Sequence, residues 1–247
     1  MELYINSISS SNCELDLKTL IPDANTRRRM SPILKMGVAT ALECLRTSTD
    51  KSVDAIITAT GLGCLTDSEK FLKSIIDNNE QLINPTPFIQ STFNTIGGMI
   101  AVLTNNHGYN MTYSHRESSF ESALLDAILL LNEGIKNVLI GAADELTPSQ
   151  TKIMERMGYY RNGVTPKEGA HFFVISSQSN KNTIAVLEQL HLKNDEPQGS
   201  FDFEFETSKG YFTASAEAFY NGVIAIQQGA KRVVVRNKHF KSVLKCL

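Results

Sequence analysis

The sequence has little of what most recognisable function classes require. No apolar run reaches the roughly 20 residues of a membrane-spanning helix, and MELYINSISSSNCELD at the N-terminus lacks the basic-then-apolar order of a secretory signal. The four cysteines, Cys13, Cys44, Cys64 and Cys246, form no CxxC pair, and the five histidines are equally dispersed. Reduced thiols and no metal site are therefore expected. Neither sign of charge is in excess: 24 Lys and Arg against 26 Asp and Glu leave a net −2, so no nucleic-acid surface is expected. The one short basic run, Arg27-Arg28-Arg29, reads as a solvated approach to a helix. No Gly-x-Ser-x-Gly elbow occurs, no P-loop, and no glycine fingerprint after the first strand, which disfavours hydrolase and nucleotide-binding folds. A soluble cytoplasmic protein without cofactor or membrane contact is expected. Its 247 residues suffice for one large domain or two fused halves.

What is present is an alternation of strand and helix. Leu3 to Ser9 reads as a strand. In SPILKMGVATALECLR, Ser31 is a cap, Pro32 takes the first helical position, and a broad apolar face follows. DAIITATG from Asp54 suits a strand buried on both faces. TDSEKFLKSIIDN from Thr66 is a capped helix, and FIQSTFNTIGGMIAVLTNN a largely buried one, whose Gly97-Gly98 allows close backbone approach. NMTYSHR is a strand, SSFESALLDAILLLNEG a helix, and KNVLIGAADEL a strand again. A helix over 148–157, strands over 170–178 and 183–194, a polar loop NDEPQGSFDFEFETSKG, a helix over 214–228 and two closing strands complete the chain. Such alternation predicts an α/β protein with a mainly parallel sheet. There is also an internal echo. NEGIKNVLI (132–140) and QQGAKRVVV (227–235) share a polar helix end, a glycine, a cation and an apolar strand, each after a helix of similar length. Two related helix–strand units at one offset suggest duplication.

The segment His115-Arg116-Glu117 stands directly before a long apolar helix. Helix starts favour developing negative charge and are where many enzymes keep a nucleophile. A glutamate is a poor nucleophile there, because the helix start stabilises its negative charge and makes it less basic still. Ser118 and Ser119 need a base and are better read as helix caps. Cys64, in TGLGCLTD, reads as a small buried residue after a strand.

In order and spacing, these segments resemble the ketosynthase branch of the thiolase superfamily over most of the chain. FNTIGGMIAVLTNNHGYNMTYSHRESSFESALLDAILLLNEGIKNVLIGAADEL resembles the family's central block, with Gly141-Ala142-Ala143-Asp144-Glu145 at the strand end. Lys167-Glu168-Gly169-Ala170 resembles its Glu-Gly-Ala segment, and SKGYFTASAEAFYNGVIAIQQGAKRVVV the block whose Gly-His opens the last long helix. The resemblance implies two βαβαβαββ halves in five αβαβα layers. Here it implies a single domain over 1–247, with a complete half over 1–180 and a shortened one over 181–247. It places the family cysteine on Glu117 and the Gly-His histidine on Tyr211, and finds no counterpart for the second histidine.

Chain-length-factor subunits of this family lack the nucleophile and pair with an active ketosynthase. The short type here most resembles those of aryl polyene and flexirubin-type pathways. The implied role is a subunit without condensation activity of its own, forming a heterodimer through the strand at 110–116 and serving a chain carried on acyl carrier protein. The alternatives are a residual acyl transferase or decarboxylase and a homodimeric scaffold that binds acyl carrier protein; a homodimer is also an option for the chain in isolation. His115 and Arg116 are expected at the interface or pocket wall, paired with Glu117 or with the partner. Phe88, Phe93, Met99, Ile100 and Phe120 are candidates for lining or bracing a tunnel, with core packing the alternative for each.

Overall fold

The computed structural model describes residues 2–49, 52–161, 163–192 and 194–247. Its first half begins with β1 (Leu3–Ser10), two short helices α1 (Leu17–Leu20) and α2 (Ala24–Arg29), and the long α3 (Pro32–Thr47). The chain then forms β2 (Ala55–Ala59), α4 (Leu65–Asp77), α5 (Pro85–Gln90), α6 (Thr95–Thr104) and β3 (Tyr109–Tyr113). A 3₁₀ turn over Arg116–Ser118 leads into α7 (Ser119–Asn132), followed by β4 (Asn137–Asp144), α8 (Pro148–Arg156) and β5 (Gly169–Ser176). The strands lie in the order β3-β2-β4-β5-β1, parallel from β3 to β4 and antiparallel thereafter. β2 and β5 are buried along their whole length, which their largely apolar runs foretell.

The second half keeps β6 (Ala185–Leu192), β7 (Phe203–Glu206), α9 (Ala214–Gln227), β8 (Arg232–Arg236) and β9 (Phe240–Lys245). The order β2-β4-β5-β1 recurs as β7-β8-β9-β6, with one parallel pair and then two antiparallel pairs in both. Among the described residues, the second half shows no strand corresponding to β3 and no helix other than α9. A constant shift of 95 residues carries α7 onto α9, Gly134 onto Gly229 and the first residue of β4, Asn137, onto Arg232.

Both glycines adopt φ beyond +100° and close the same helix end. The N–H of Ile135 reaches the Leu130 carbonyl, and that of Ala230 the Ala225 carbonyl. This is the six-to-one bond of a Schellman cap, which favours glycine at its left-handed position. The echo read from the sequence is thus a repeated structural unit.

The halves join where β1 pairs with β6, Leu3 to Ile5 against Leu187 to Ala185. One core lies between the sheet and the α7–α9 pair, with Phe120, Leu124, Phe173 and Phe219 at its centre. A second lies under α3 and α6, around Ile33, Leu34, Ile56, Leu139 and Phe172. α9 packs on β5 and β1 of the first half and on β7, β8 and β9 of the second, so it forms a layer shared by both.

Several details depart from the sequence expectation. The sheet is mixed rather than mainly parallel, because β5 and β9 return beside β4 and β8 without a crossover helix over the sheet. The helix expected over 88–106 is split in two, and Phe88, Ile89, Phe93 and Val102 are exposed. Between the pieces, Ser91 Oγ donates to the Phe88 carbonyl and Thr95 Oγ1 to that of Thr92, local bonds that compete with the helix ladder. Thr66 does not cap α4; its N–H and hydroxyl go to the Glu145 carboxylate, and Cys64 holds the cap position. β7 falls inside the segment expected to be a polar loop, since FEFE alternates on a short edge strand. Lys193, within the strand expected over 183–194, lies outside the described residues.

Gly134→Ala and Gly229→Ala should each cost about 1 kcal/mol or more in urea unfolding, because alanine resists the left-handed conformation. Gly98→Ala, inside α6 with nothing within 4 Å of an added Cβ, should instead stabilise by about 0.5–1 kcal/mol.

Candidate functional site

β3 delivers the chain to a sharp turn at the carboxyl end of the sheet. Arg116 takes a left-handed conformation, φ 52°, uncommon for a side-chain-bearing residue. Ser119 holds the turn: its Oγ accepts the His115 N–H at 2.8 Å and donates to the Arg116 carbonyl at 2.7 Å. Neither Ser118 nor Ser119 makes the cap bond expected of it; the α7 cap has no side-chain bond.

The turn points Glu117 into the wall between two cavities. Its Oε1 accepts the Tyr159 hydroxyl at 3.2 Å, and its backbone carbonyl accepts Asn237 Nδ2 at 2.7 Å. Among the described residues, no ion pair joins Glu117 to His115 or Arg116, so the first of the two expected pairings, that within the turn, is absent. The His115 ring faces Ser122 Oγ at 3.0 Å instead, and both His115 and Arg116 are exposed at the rim of the first cavity.

That cavity, of about 610 Å³, has Leu62, Leu65, Ile153, Met154 and Met157 as its apolar wall. The other, of about 620 Å³, is lined by Lys209, Arg236, Lys238 and Lys241, with Glu206 and Tyr211. Glu117, Tyr159, Phe212 and Lys238 belong to both. Glu117 and Tyr211, far apart in sequence, thus face one space.

Asp144 holds this arrangement together. Its Oδ1 accepts Thr60 Oγ1 and the Gly61 N–H, each at 2.8 Å, and its Oδ2 accepts the Thr213 N–H at 2.9 Å and Thr213 Oγ1 at 2.8 Å. One buried carboxylate therefore ties the ends of β2 and β4 to the start of α9. Burial pushes its carboxyl upward, and the four donors counter the shift.

Beside it, Tyr211 is 5% exposed; its hydroxyl donates to Glu217 Oε2 at 3.3 Å and meets His171 Nε2 at 3.2 Å. Burial, then the Glu217 charge, suppresses ionisation of Tyr211, and burial lowers His171 to about 4. This ring is neutral at physiological pH and lines neither cavity.

The nucleophile inventory is poor. Burial pushes the Cys64 thiol up to about 12, so its thiolate is scarce at neutral pH. Ser119 is fully buried. Ser118 lines the first cavity, but the nearby His115 ring is engaged by Ser122. Among the described residues, no group of three His, Cys, Asp or Glu is arranged to hold a metal ion.

The tunnel candidates are not gathered at this site. Phe88 and Phe93 are exposed, and Met99 is half-buried on α6. Ile100 sits in the core under α3, and Phe120 is core, packed on Phe173 and Phe219. The cavity walls come from residues that sequence reasoning passed over: Tyr159, Phe212, Asn237 and the α8 residues. His171 was overlooked too, although a histidine inside the apolar run AHFFVIS was a readable signal.

Glu121 is another, one turn along α7 from Glu117. It is 3% exposed, and its Oε1 accepts Asn237 Nδ2 at 2.6 Å. Asn237 therefore clamps the turn and the helix together. Burial raises Glu121 to about 7.

A duplicated α/β layering, with a helix start aimed into a cleft at the strand carboxyl ends, defines a thiolase-like protein. The chain belongs to the beta-ketoacyl synthase family: the model of the beta-ketoacyl synthase N-terminal domain matches residues 9–199. No curated protein sequence matches it. Among solved structures it is similar to a ketosynthase (ApeO) in complex with its chain length factor (ApeC) from Xenorhabdus doucetiae, at 17% identity and TM-score 0.68, covering 99% of both chains. It is also similar to the ishigamide ketosynthase/chain length factor, at 13% identity and TM-score 0.78, covering 100% of both chains. A third is a type II PKS acyl-carrier protein in complex with its ketosynthase (AntDE:AntF), at 12% identity and TM-score 0.72, covering 100% of this chain and 99% of that one. At these identities the likeness is one of fold.

Two measurements probe the site. Asp144→Ala should destabilise by about 3–5 kcal/mol in urea unfolding, because it strands buried donors on Gly61 and Thr213. Glu121 is raised in the folded state, so its contribution to stability is present below about pH 4.5 and is lost as pH rises through about 7. Glu121→Gln should therefore flatten the fall in stability between acid and pH 8 by about 2–3 kcal/mol, with little change at low pH. An unchanged pH slope would contradict a buried, titrating Glu121.

Proposed function

We propose that this chain is a non-catalytic, chain-length-factor-like subunit that pairs with an active ketosynthase and serves acyl chains carried on acyl carrier protein. The observation that carries this reading is the content of the helix-start site. Glu117 accepts the Tyr159 hydroxyl and Tyr211 donates to Glu217; we read these two positions as the counterparts of the family's cysteine and of one of its histidines. A carboxylate whose charge a helix start stabilises is a poor nucleophile, and a neutral buried phenol does not replace an imidazole in proton transfer. The matched solved structures, described as ketosynthases with chain length factors and with an acyl-carrier protein, support the choice of partners.

The docking surface follows from the sheet. β3 is an edge strand, and edges with unpaired backbone groups invite pairing with another chain. Around it, Tyr109 and Met111 on the strand and Leu125 and Leu129 on α7 leave apolar surface exposed. We assign this face to the ketosynthase, with Phe88, Phe93 and Met99 offered toward the partner's side of the acyl tunnel and Phe120 bracing it from the core. The unit spans 1–247 as one domain, divided near residue 180 into a full and a reduced half. An aryl polyene or related fatty-acid-type product and a cytoplasmic setting complete the proposal; among the described residues, no helix is long and apolar enough to cross a membrane.

Co-expression with an active ketosynthase of the same pathway should yield a co-purifying heterodimer, and Met111→Arg with Leu129→Arg should abolish it while each chain stays folded. A chain that ignores that ketosynthase, or that takes up acyl mass from an acyl thioester by itself, overturns the proposal.

A further inference from the structure

We propose that Asp126 sets the partner specificity of the face formed by β3 and α7: it disfavours a second copy of this chain there and requires an Arg or Lys on the ketosynthase surface that covers it. The identity of that partner rests on the reading above. The isolation of the charge does not.

The face is apolar around a single charge. Ser122, Leu125, Asp126 and Leu129 recur at the spacing of one helix face, and β3 sets Tyr109, Met111 and Tyr113 beside α7. Leu125, Leu129, Tyr109 and Met111 are exposed, and Asp126 is half-buried among them. Its carboxylate carries the one charge of this set. Among the described residues, no Lys, Arg or His lies within ion-pair distance of it. The imidazoles flanking the strand are engaged locally, His115 by Ser122 at 3.0 Å and His107 by Asn105 at 3.2 Å.

The carboxylate is also held in place. Tyr109 donates its hydroxyl to Asp126 Oδ2 at 3.1 Å. Burial, then Asp126, raises Tyr109 to about 12, and the same two causes push Tyr113 upward. Both phenols therefore stay protonated around the acid, which is fixed on the face. A fixed carboxylate covered by an uncharged surface loses its water without compensation. A cation on the covering surface offsets that loss and adds charge-assisted hydrogen bonds.

Symmetry then separates the two occupants. A twofold pair presents one patch to itself, so a second copy would bring another Asp126 and no cation to the same interface. An edge strand such as β3 pairs readily with other chains unless something discourages it, and a charge beside the edge is one such deterrent. Opposite charge on a different chain removes the penalty. One residue thereby rejects the wrong partner and favours the right one.

The test compares wild type with three variants at pH 8. Asp126→Asn keeps an acceptor for the Tyr109 hydroxyl but removes the charge, Asp126→Lys reverses it, and Asp126→Glu retains it. All should unfold in urea at the wild-type midpoint. In the chain alone, sedimentation equilibrium should show Asp126→Asn self-associating about ten-fold more tightly than wild type or Asp126→Glu. In competition for a limiting amount of the ketosynthase, with the chains distinguished by tags, wild type should outcompete Asp126→Asn about ten-fold and exclude Asp126→Lys. Equal self-association, or equal capture of wild type and Asp126→Asn, overturns the proposal and leaves the heterodimer standing. A wild-type chain that captures no ketosynthase overturns the heterodimer reading and the partner cation with it, and the self-association arm still decides whether Asp126 guards the face.

Discussion

The fold converges on the buried carboxylate of Asp144. It accepts hydrogen bonds from the end of β2 and from the first residues before α9, while itself ending β4. A charge so deeply buried is tolerable only when its lone pairs are filled, and here four donors fill them. Because those donors come from both halves of the duplication, the carboxylate fixes the α9 start against the first sheet. Tyr211 and Phe212, immediately before Thr213, are thereby set opposite Glu117. Gly61 shows how close that approach is: an added Cβ there would sit 2.2 Å from Phe212 Cβ.

The duplication explains both what the site retains and what it lacks. The first half is complete, so β3, the left-handed turn at Arg116 and the α7 start still present a side chain at the sheet's carboxyl end. Among the described residues, the second half shows no counterpart of β3 and no helix other than α9, so the ends of β7 and β8 lack that cover. The two cavities follow from these facts together, one beside α8 and one above the shortened half. The sharp turn at Arg116 keeps the α7 start aimed at the sheet's carboxyl end, and it presents Glu117 there. Fold and chemistry separate here, as they do in many superfamilies.

Much of the layout was legible in the sequence. Largely apolar runs located β2, β4 and β5, since strands buried on both faces admit a polar residue only where its bonds are met, as for Asp144. The matched glycines at 134 and 229 exposed the repeat, because the same cap geometry selects the same residue twice. The helix start after Glu117 was legible from the apolar run that follows it, while the structure alone shows that Glu117 and Tyr211 line one cavity. Harder to see were elements whose stability is contextual. β7 is four residues with alternating charge, held by β8 and α9 rather than by its own composition. The break between α5 and α6 arises from serine and threonine hydroxyls that bond back to local carbonyls.

The sequence by itself determined most of the strands and the long helices, and the repeat that relates them. These are properties of neighbours along the chain, where periodicity, caps and residue chemistry act over a few residues. Tertiary structure alone decided that Glu117 pairs with Tyr159 rather than with His115 or Arg116, and that Asn237 bridges Glu117 and Glu121. It also decided that the cavity walls come from α8 and the β8–β9 turn rather than from the phenylalanines of α5 and its exit. Those contacts join residues dozens to over a hundred positions apart, and the crossing of the sheet by α7 and α9 sets them, which no local pattern records.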